Sequence, residues 1–240
     1  MEKRYFLKNA PQYKLAEIIS VVSHQLKTPL SSIKGYLEVL LSEDLGQLNK
    51  QQKEYLKDVL ENTRQMIDLV RDLLDVTIIE VNRIEFKKSP TDLAKIIKKS
   101  MKEFSLLARA KNCDLSFETL NEFPLLNIDS IKIKQVIDNL IDNAISYNKR
   151  KGEVKVSLFK KGKKVVFCCK DTGIGISEGE KDKIFTKFYR SEEAIALATR
   201  GSGLGLFISK AIIEKSGGKI WFKSKKGKGS AFCFSLPIKS

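Results

Sequence analysis

Leu15, Ile18, Ile19, Val22, Leu26, Leu30, Ile33, Leu37, Leu40 and Leu41 recur at spacings of three and four. That spacing places them on one stripe of an α-helix. Pro29 falls inside the stripe and predicts a local kink, because proline cannot donate a helical hydrogen bond. Ser42 to Asn49, with Asp44 and Gly46, reads as a turn. A second stripe follows at Tyr55, Val59, Thr63, Met66, Val70, Leu73, Leu74 and Ile78. Two helices of about 30 residues, each ~45 Å long, cannot bury such stripes as a lone hairpin. A four-helix bundle built from two chains would bury them, so the pattern predicts a homodimer, with packing on the second domain as the alternative.

Beyond Ser89-Pro90 the pattern changes. Residues 92–111 and 130–147 keep helical spacing. Residues 153–159, 163–170, 218–224 and 230–236 are short runs rich in β-branched, aromatic or Cys residues. Lys-Gly, Gly-Gly and Gly-Lys-Gly turns bound them. The expected architecture is therefore mixed α and α/β (α+β): a helical hairpin followed by an α/β sandwich. The proline at the change of pattern tends to end a preceding helix, and a domain boundary is placed there.

Composition sharpens this division. The 240 residues are 42% hydrophobic and 30% charged, which suits a folded protein and excludes disorder as the main state. The formal charge is +15. Residues 1–89 hold 14 basic and 13 acidic side chains, whereas residues 90–240 hold 30 and 16. The excess thus belongs almost wholly to the second part. The chain has one histidine, His24, so sites that need two imidazoles are excluded. Cys113, Cys168, Cys169 and Cys233 form no CxxC pair and are read as four reduced, mostly buried thiols. Strand neighbours such as Cys168 and Cys169 point to opposite faces. No stretch approaches a membrane span, and the start lacks a signal-peptide core. A cytoplasmic location is expected, either free or as part of a membrane-anchored sensor.

Four segments carry chemistry. Ser23-His24-Gln25-Leu26-Lys27-Thr28-Pro29-Leu30 puts an imidazole inside an apolar helical stripe, with Thr28 one turn further on the same face. Asn139 and Asn143 are also one turn apart, and paired carboxamides can offer oxygen ligands to a hard cation and its phosphate. Asp171-Thr172-Gly173-Ile174-Gly175-Ile176 directly follows a strand. Its glycines let backbone approach a ligand, and its carboxylate can accept a hydrogen bond from an exocyclic amine. Gly201-Ser202-Gly203-Leu204-Gly205-Leu206 opens an apolar helical run, and such a loop presents amide N–H groups to phosphate.

In this order the segments resemble the sensor histidine kinases of two-component signalling. Ser23 to Leu30 resembles their H box, Gln135 to Tyr147 the N box and Asp171 to Ile176 the G1 box. Ile184 to Arg190 resembles the F box and Gly201 to Leu206 the G2 box. The resemblance runs from about residue 14 to 238.

It implies a residual linker at 1–11, a dimerisation and histidine phosphotransfer domain at 12–80, a linker at 81–89 and a Bergerat-type ATP-binding domain at 90–240. His24 would be the phosphoacceptor, and ATP and Mg²⁺ the cofactors. Asn143 would hold Mg²⁺, with Asn139 beside it. Tyr147 would line the nucleotide pocket together with Gly173, Gly175 and Ile176, and Asp171 would read the adenine amine. Residues 190–202 would form a mobile lid, with Gly201, Gly203, Leu204 and Gly205 shaping the phosphate loop. Arg190 would contact phosphate during transfer. Phe185 and Phe188 would anchor the lid base or touch the helical domain; plain core packing serves either as well. The implied partner is a response regulator receiver domain.

Two positions depart from the family pattern. The residue after the phosphoacceptor is usually an acid, and here it is Gln25. A glutamine carbonyl can accept the imidazole's hydrogen bond but cannot take its proton. Thr28 matches the position used to orient water in dephosphorylating the partner. Ser146 stands where relatives often carry a basic residue. Three other readings compete. The basic second part could bind nucleic acid, but its lysines fall mainly at turns. Another ATPase of the Bergerat group would leave His24 to Pro29 unexplained. A degenerate kinase acting only as phosphatase or scaffold sits poorly with Asn143, Asp171 and the glycine loops.

Overall fold

The computed structural model describes residues 11–119, 123–198 and 201–238, with side chains from residue 17 onward apart from Ser20. The expected linker residues 1–10, the side chain of Leu15, and Thr199 and Arg200 of the expected lid lie outside the described residues. The chain divides into two compact units, Met1–Ile84 and Glu85–Ser240.

The first unit is a pair of helices, α1 (Pro11–Leu41) and α2 (Lys50–Glu80). Helix α1 runs on through Pro29. The missing proline N–H is the one that would pair with the Gln25 carbonyl in an α-helix. Asn49 starts α2 with a capping box: its Oδ1 accepts from Gln52 N–H at 2.8 Å, and Gln52 Oε1 accepts from Asn49 N–H at 2.9 Å. Ser23, Leu30, Leu37, Leu60 and Thr63 are buried along the hairpin's seam. Most of both stripes is not: Ile18, Val22, Leu26, Ile33, Tyr55, Val59, Met66 and Leu73 are exposed.

The second unit is an α/β sandwich. Its strands are β1 (Ser89–Thr91), β2 (Asp114–Thr119), β3 (Leu126–Ile128), β4 (Glu153–Lys161), β5 (Lys164–Asp171), β6 (Lys219–Lys225) and β7 (Gly229–Pro237). Strands β1 and β3 pair alone, and the main sheet has the order β2-β4-β5-β7-β6. The β2–β4 pair is parallel and the others antiparallel. Four helices complete the unit: α3 (Leu93–Ala110), α4 (Ser130–Ser146), the short α5 (Glu192–Leu197) and α6 (Gly205–Lys215). The three-residue strands β1 and β3 carry no alternating signal in the sequence, whereas β2 alternates at Leu115 and Phe117 and was not among the expected strands.

Register explains the core. Val156 lies opposite Cys169, and Leu158 opposite Phe167. Phe167 in turn lies opposite Phe234, with stacked rings 4.9 Å apart. Alternate residues therefore line one face. Ile133, Ile137, Leu140 and Ile141 of α4, fully buried, supply the helical layer together with Ile208, Ile212 and Ile213 of α6.

The same register corrects the reading of four reduced thiols. Cys168 and Cys233 are direct cross-strand partners with Cα atoms 4.1 Å apart, and they form a disulfide. Strand pairing brings together two cysteines that sequence distance keeps 65 residues apart. Cys113 and Cys169 are free and buried. No helix of the described residues is long and apolar enough to cross a membrane.

Candidate functional site

Asp171 ends β5 on the core-facing side. Its Oδ1 accepts the N–H of Gly173 at 2.8 Å and the N–H of Ser230 at 3.1 Å. Burial pushes this carboxyl up to about 6, and the two N–H bonds offset part of that rise. An acceptor is thus held rigidly where water is largely excluded.

The loop after Asp171 is threaded tightly. Ile174 donates its N–H to Tyr147 O at 3.1 Å and accepts from Gly227 N–H at 2.6 Å. Ile176 N–H bonds Ser224 Oγ at 2.8 Å. A Cβ on Gly173 would lie 2.3 Å from Tyr147 O. Gly175 has φ +69°, and a Cβ there would lie 2.1 Å from Lys225 O. Both glycines are therefore required by close backbone approach.

Helix α4 supplies the opposite wall. Asp129 caps it with bonds to Ile131 and Lys132 N–H, and also accepts Lys87 N–H. Asn139 and Asn143 are half-buried, and Asn143 Nδ2 reaches Asn139 Oδ1 at 3.3 Å. Asn139 Nδ2 donates to Ser209 Oγ of α6 at 2.9 Å. Gly205, the first residue of α6, sits so close that a Cβ would lie 2.2 Å from Asn139 Oδ1. The N-terminus of α6, with its unpaired N–H groups, thus abuts the asparagine pair. Ser146 Oγ turns to Asp142 Oδ1 at 3.4 Å.

Gly201 approaches this wall. A Cβ on Gly201 would lie 3.6 Å from the Tyr147 hydroxyl. Ser191 caps α5 through Ala194 N–H. Arg190 spreads its guanidinium over the carbonyls of Gly201 at 3.1 Å, Ala194 at 3.2 Å and Ala198. Gly203 has φ +70°, and a Cβ there would meet the Phe188 backbone at 2.7 Å. Phe188 itself has φ +62° and is exposed, an uncommon conformation for a bulky residue. Phe185 packs edge-on against Phe222. A separate cleft of about 400 Å³ opens beside the lid base, lined by Ser177, Glu180, Tyr189, Arg190, Glu193 and Lys226.

The structure brings Asn139, Asn143, Tyr147, Asp171, Gly173, Gly175, Gly201, Gly203 and Gly205 into one region of the second unit. His24, Gln25 and Thr28 lie exposed on α1 in the first unit. Among the described residues no group of three or more His, Cys, Asp or Glu could hold a metal ion. A hard cation would therefore rely on amide oxygens such as those of Asn139 and Asn143, and on oxygens of its ligand. Sequence reasoning missed Ser230 and Ser209. Ser230 acts through its backbone and leaves no side-chain signal. Ser209 was legible as one polar residue inside the apolar run after Gly205.

Residues 128–240 match the family of histidine kinase-, DNA gyrase B- and HSP90-like ATPases. Residues 14–82 match the His Kinase A (phospho-acceptor) domain. Sensor protein kinase WalK of Staphylococcus haemolyticus is 35% identical over 227 residues, covering 92% of this chain and 36% of that protein. The chain spans about a third of the length of the curated relatives it matches. The solved catalytic domain of histidine kinase ThkA is 35% identical with a TM-score of 0.55, and covers 65% of this chain and 97% of that one. ThkA in complex with response regulator protein TrrA matches 98% of this chain and 66% of that one, at 26% identity and TM-score 0.64. Full-length ShkA in complex with AMPPNP matches 92% of this chain and 45% of that one, at 25% identity and TM-score 0.75. With both family matches falling in the order that the two compact units take along the chain, the protein belongs to the sensor histidine kinases of two-component systems.

Proposed function

We propose that this chain transfers the γ-phosphoryl group of ATP to His24, and that the phosphoryl group then passes to an aspartate of a response regulator receiver domain. The observation that carries the reading is the buried Asp171 carboxylate, held by two backbone N–H groups on one side of a site whose other side is the Asn139–Asn143 pair under the N-terminus of α6. One side suits a purine amine and the other suits phosphates. Asp171 Oδ1 is committed to backbone, so its second oxygen is the acceptor for the base. The N–H groups at the start of α6 and the loop through Gly203 receive phosphate oxygens. Asn143, with Asn139 beside it, would hold Mg²⁺, which would supply neutralisation of phosphate charge.

In the transfer, a bond forms between an imidazole nitrogen and phosphorus, and the bond to ADP breaks. Such reactions depend on positioning and charge more than on strong bases. A glutamine beside His24 therefore slows the step without abolishing it. Arg190 reaches phosphate by exchanging lid carbonyls for it. The exposed stripes of α1 and α2 are covered by a second copy in a four-helix bundle, as residues 12–80 serve dimerisation and phosphotransfer. Thr28 orients water when the partner is dephosphorylated. The reaction places residues 90–240 in the cytoplasm, where ATP is available. This reading is tested by incubation with γ-labelled ATP and Mg²⁺. Acid-labile label is expected on the wild type and none on His24→Gln; label that survives in His24→Gln refutes the acceptor.

A further inference from the structure

Asn148 follows the C-terminus of α4 and is buried. Its amide is fully engaged. Nδ2 donates to Glu153 O at 3.0 Å and to Cys113 Sγ at 3.4 Å. Oδ1 accepts from Lys149 N–H at 2.9 Å and from Thr172 Oγ1 at 3.2 Å. The Thr172 hydroxyl in turn accepts Glu153 N–H at 2.9 Å. Gly152 leaves room for this amide, since a Cβ there would lie 2.1 Å from Asn148 Oδ1. A residue that merely caps a helix would bond that helix's own last carbonyls. Here the side-chain bonds run outward, to the residue before β2, to the start of β4 and to the loop after β5.

Thr172 stands between Asp171 and Gly173. Asp171 is the proposed base-reading acid, and Gly173 is jammed against Tyr147 O. The same turn of chain therefore carries both the end of the Asn139–Asn143 helix and the tether of the Asp171 loop. We propose that Asn148 is a positioning residue of the nucleotide site: through Thr172 it fixes the Asp171–Gly175 loop against the end of α4, and so sets the spacing between the base-reading carboxylate and the phosphate-side asparagines. This rests on the ATP reading given above. Loss of the tether loosens ground-state binding of nucleotide and leaves the transfer step itself intact, because neither residue touches the reacting atoms.

The test uses the full chain with ATP and Mg²⁺, and compares wild type with Thr172→Val, Thr172→Ser, Asn148→Ala, the Asn148→Ala/Thr172→Val double variant and Cys113→Ala. Readouts are KM and kcat for His24 labelling, and the melting temperature. Thr172→Val and Asn148→Ala raise KM for ATP about tenfold with kcat within about twofold. The double variant is no worse than Asn148→Ala alone, because both remove one coupling. Thr172→Ser keeps the wild-type KM. Cys113→Ala melts lower but keeps the wild-type KM, which separates positioning from general softening of the fold. A folded Thr172→Val with wild-type KM overturns the proposal, as does an equal rise in Cys113→Ala. Thr172→Val carries the test if Asn148→Ala does not fold. Failure of the wild type to label at all removes the ATP reading and this inference with it. Labelling of the wild type with unmoved KM in the variants removes this inference alone.

Discussion

His24 is exposed on α1, and the transfer proposed for it turns on its neighbour. Gln25 can orient an imidazole N–H but cannot remove the proton. Gln25→Glu is therefore expected to label His24 faster than wild type, read as the initial rate at saturating ATP; an equal or slower rate refutes this. Asp171 poses a different question. Its carboxyl is raised from 3.8 to about 6 by burial, so the ionised form costs stability above that value. The cost is full at pH 7 and is relieved as pH falls through 6 toward 3.8, where the unfolded chain also takes up the proton. Asp171→Asn should therefore be more stable than wild type at pH 7, by on the order of 2 kcal/mol, with the gap closing toward pH 4 in urea melts. The same variant should lose ATP binding, and wild-type KM for ATP should rise as pH falls below about 6. A pH-independent stability gap would show that burial of the charge is not its cause.

Among the elements, α2 owes its start to the reciprocal Asn49–Gln52 box rather than to packing, because both residues are exposed. Asn49→Ala is expected to cost about 1 kcal/mol, measured by urea denaturation of the first unit's helical signal. Helices α3, α4 and α6 were legible because their apolar residues repeat every three or four positions over many turns. Strands β4 to β7 were legible from Val, Ile, Phe and Cys between glycine turns. The short strands β1 and β3 were not. Three residues are too few to set a period, and they exist because they pair with each other. Helix α5 was likewise hidden, since its six residues are too few to set a helical period and Ile195 and Leu197 stay exposed, while Ser191 and the carbonyl bonds of Arg190 hold it.

For the whole molecule, the seam of α1 and α2 buries few of their apolar residues, and Ile18, Val22, Leu26, Ile33, Val59 and Met66 remain exposed. Such surface marks an interface when contiguous. Sedimentation of the full chain is expected to give a dimer, and Ile33→Glu with Val59→Glu is expected to give a monomer that still binds ATP. A monomeric wild type would refute the four-helix bundle.

Periodicity, turn residues and the order of five short motifs were enough to divide the chain, to name its longer helices and strands β4 to β7, and to single out Asp171, the asparagine pair and the glycine loops. These are local properties: a glycine must be written where backbone approaches closely, and a polar side chain where a polar contact is to be made. Only the fold decided who meets whom. It placed Ser230 N–H on Asp171 and Ser209 on Asn139. It laid Arg190 on the carbonyls of Ala194, Ala198 and Gly201, tied Asn148 to Thr172, and joined Cys168 to Cys233. Apart from the local bonds of Arg190, each of these contacts joins segments at least 24 residues apart in the chain. Strand register and helix packing set them, and neither leaves a trace at any single position.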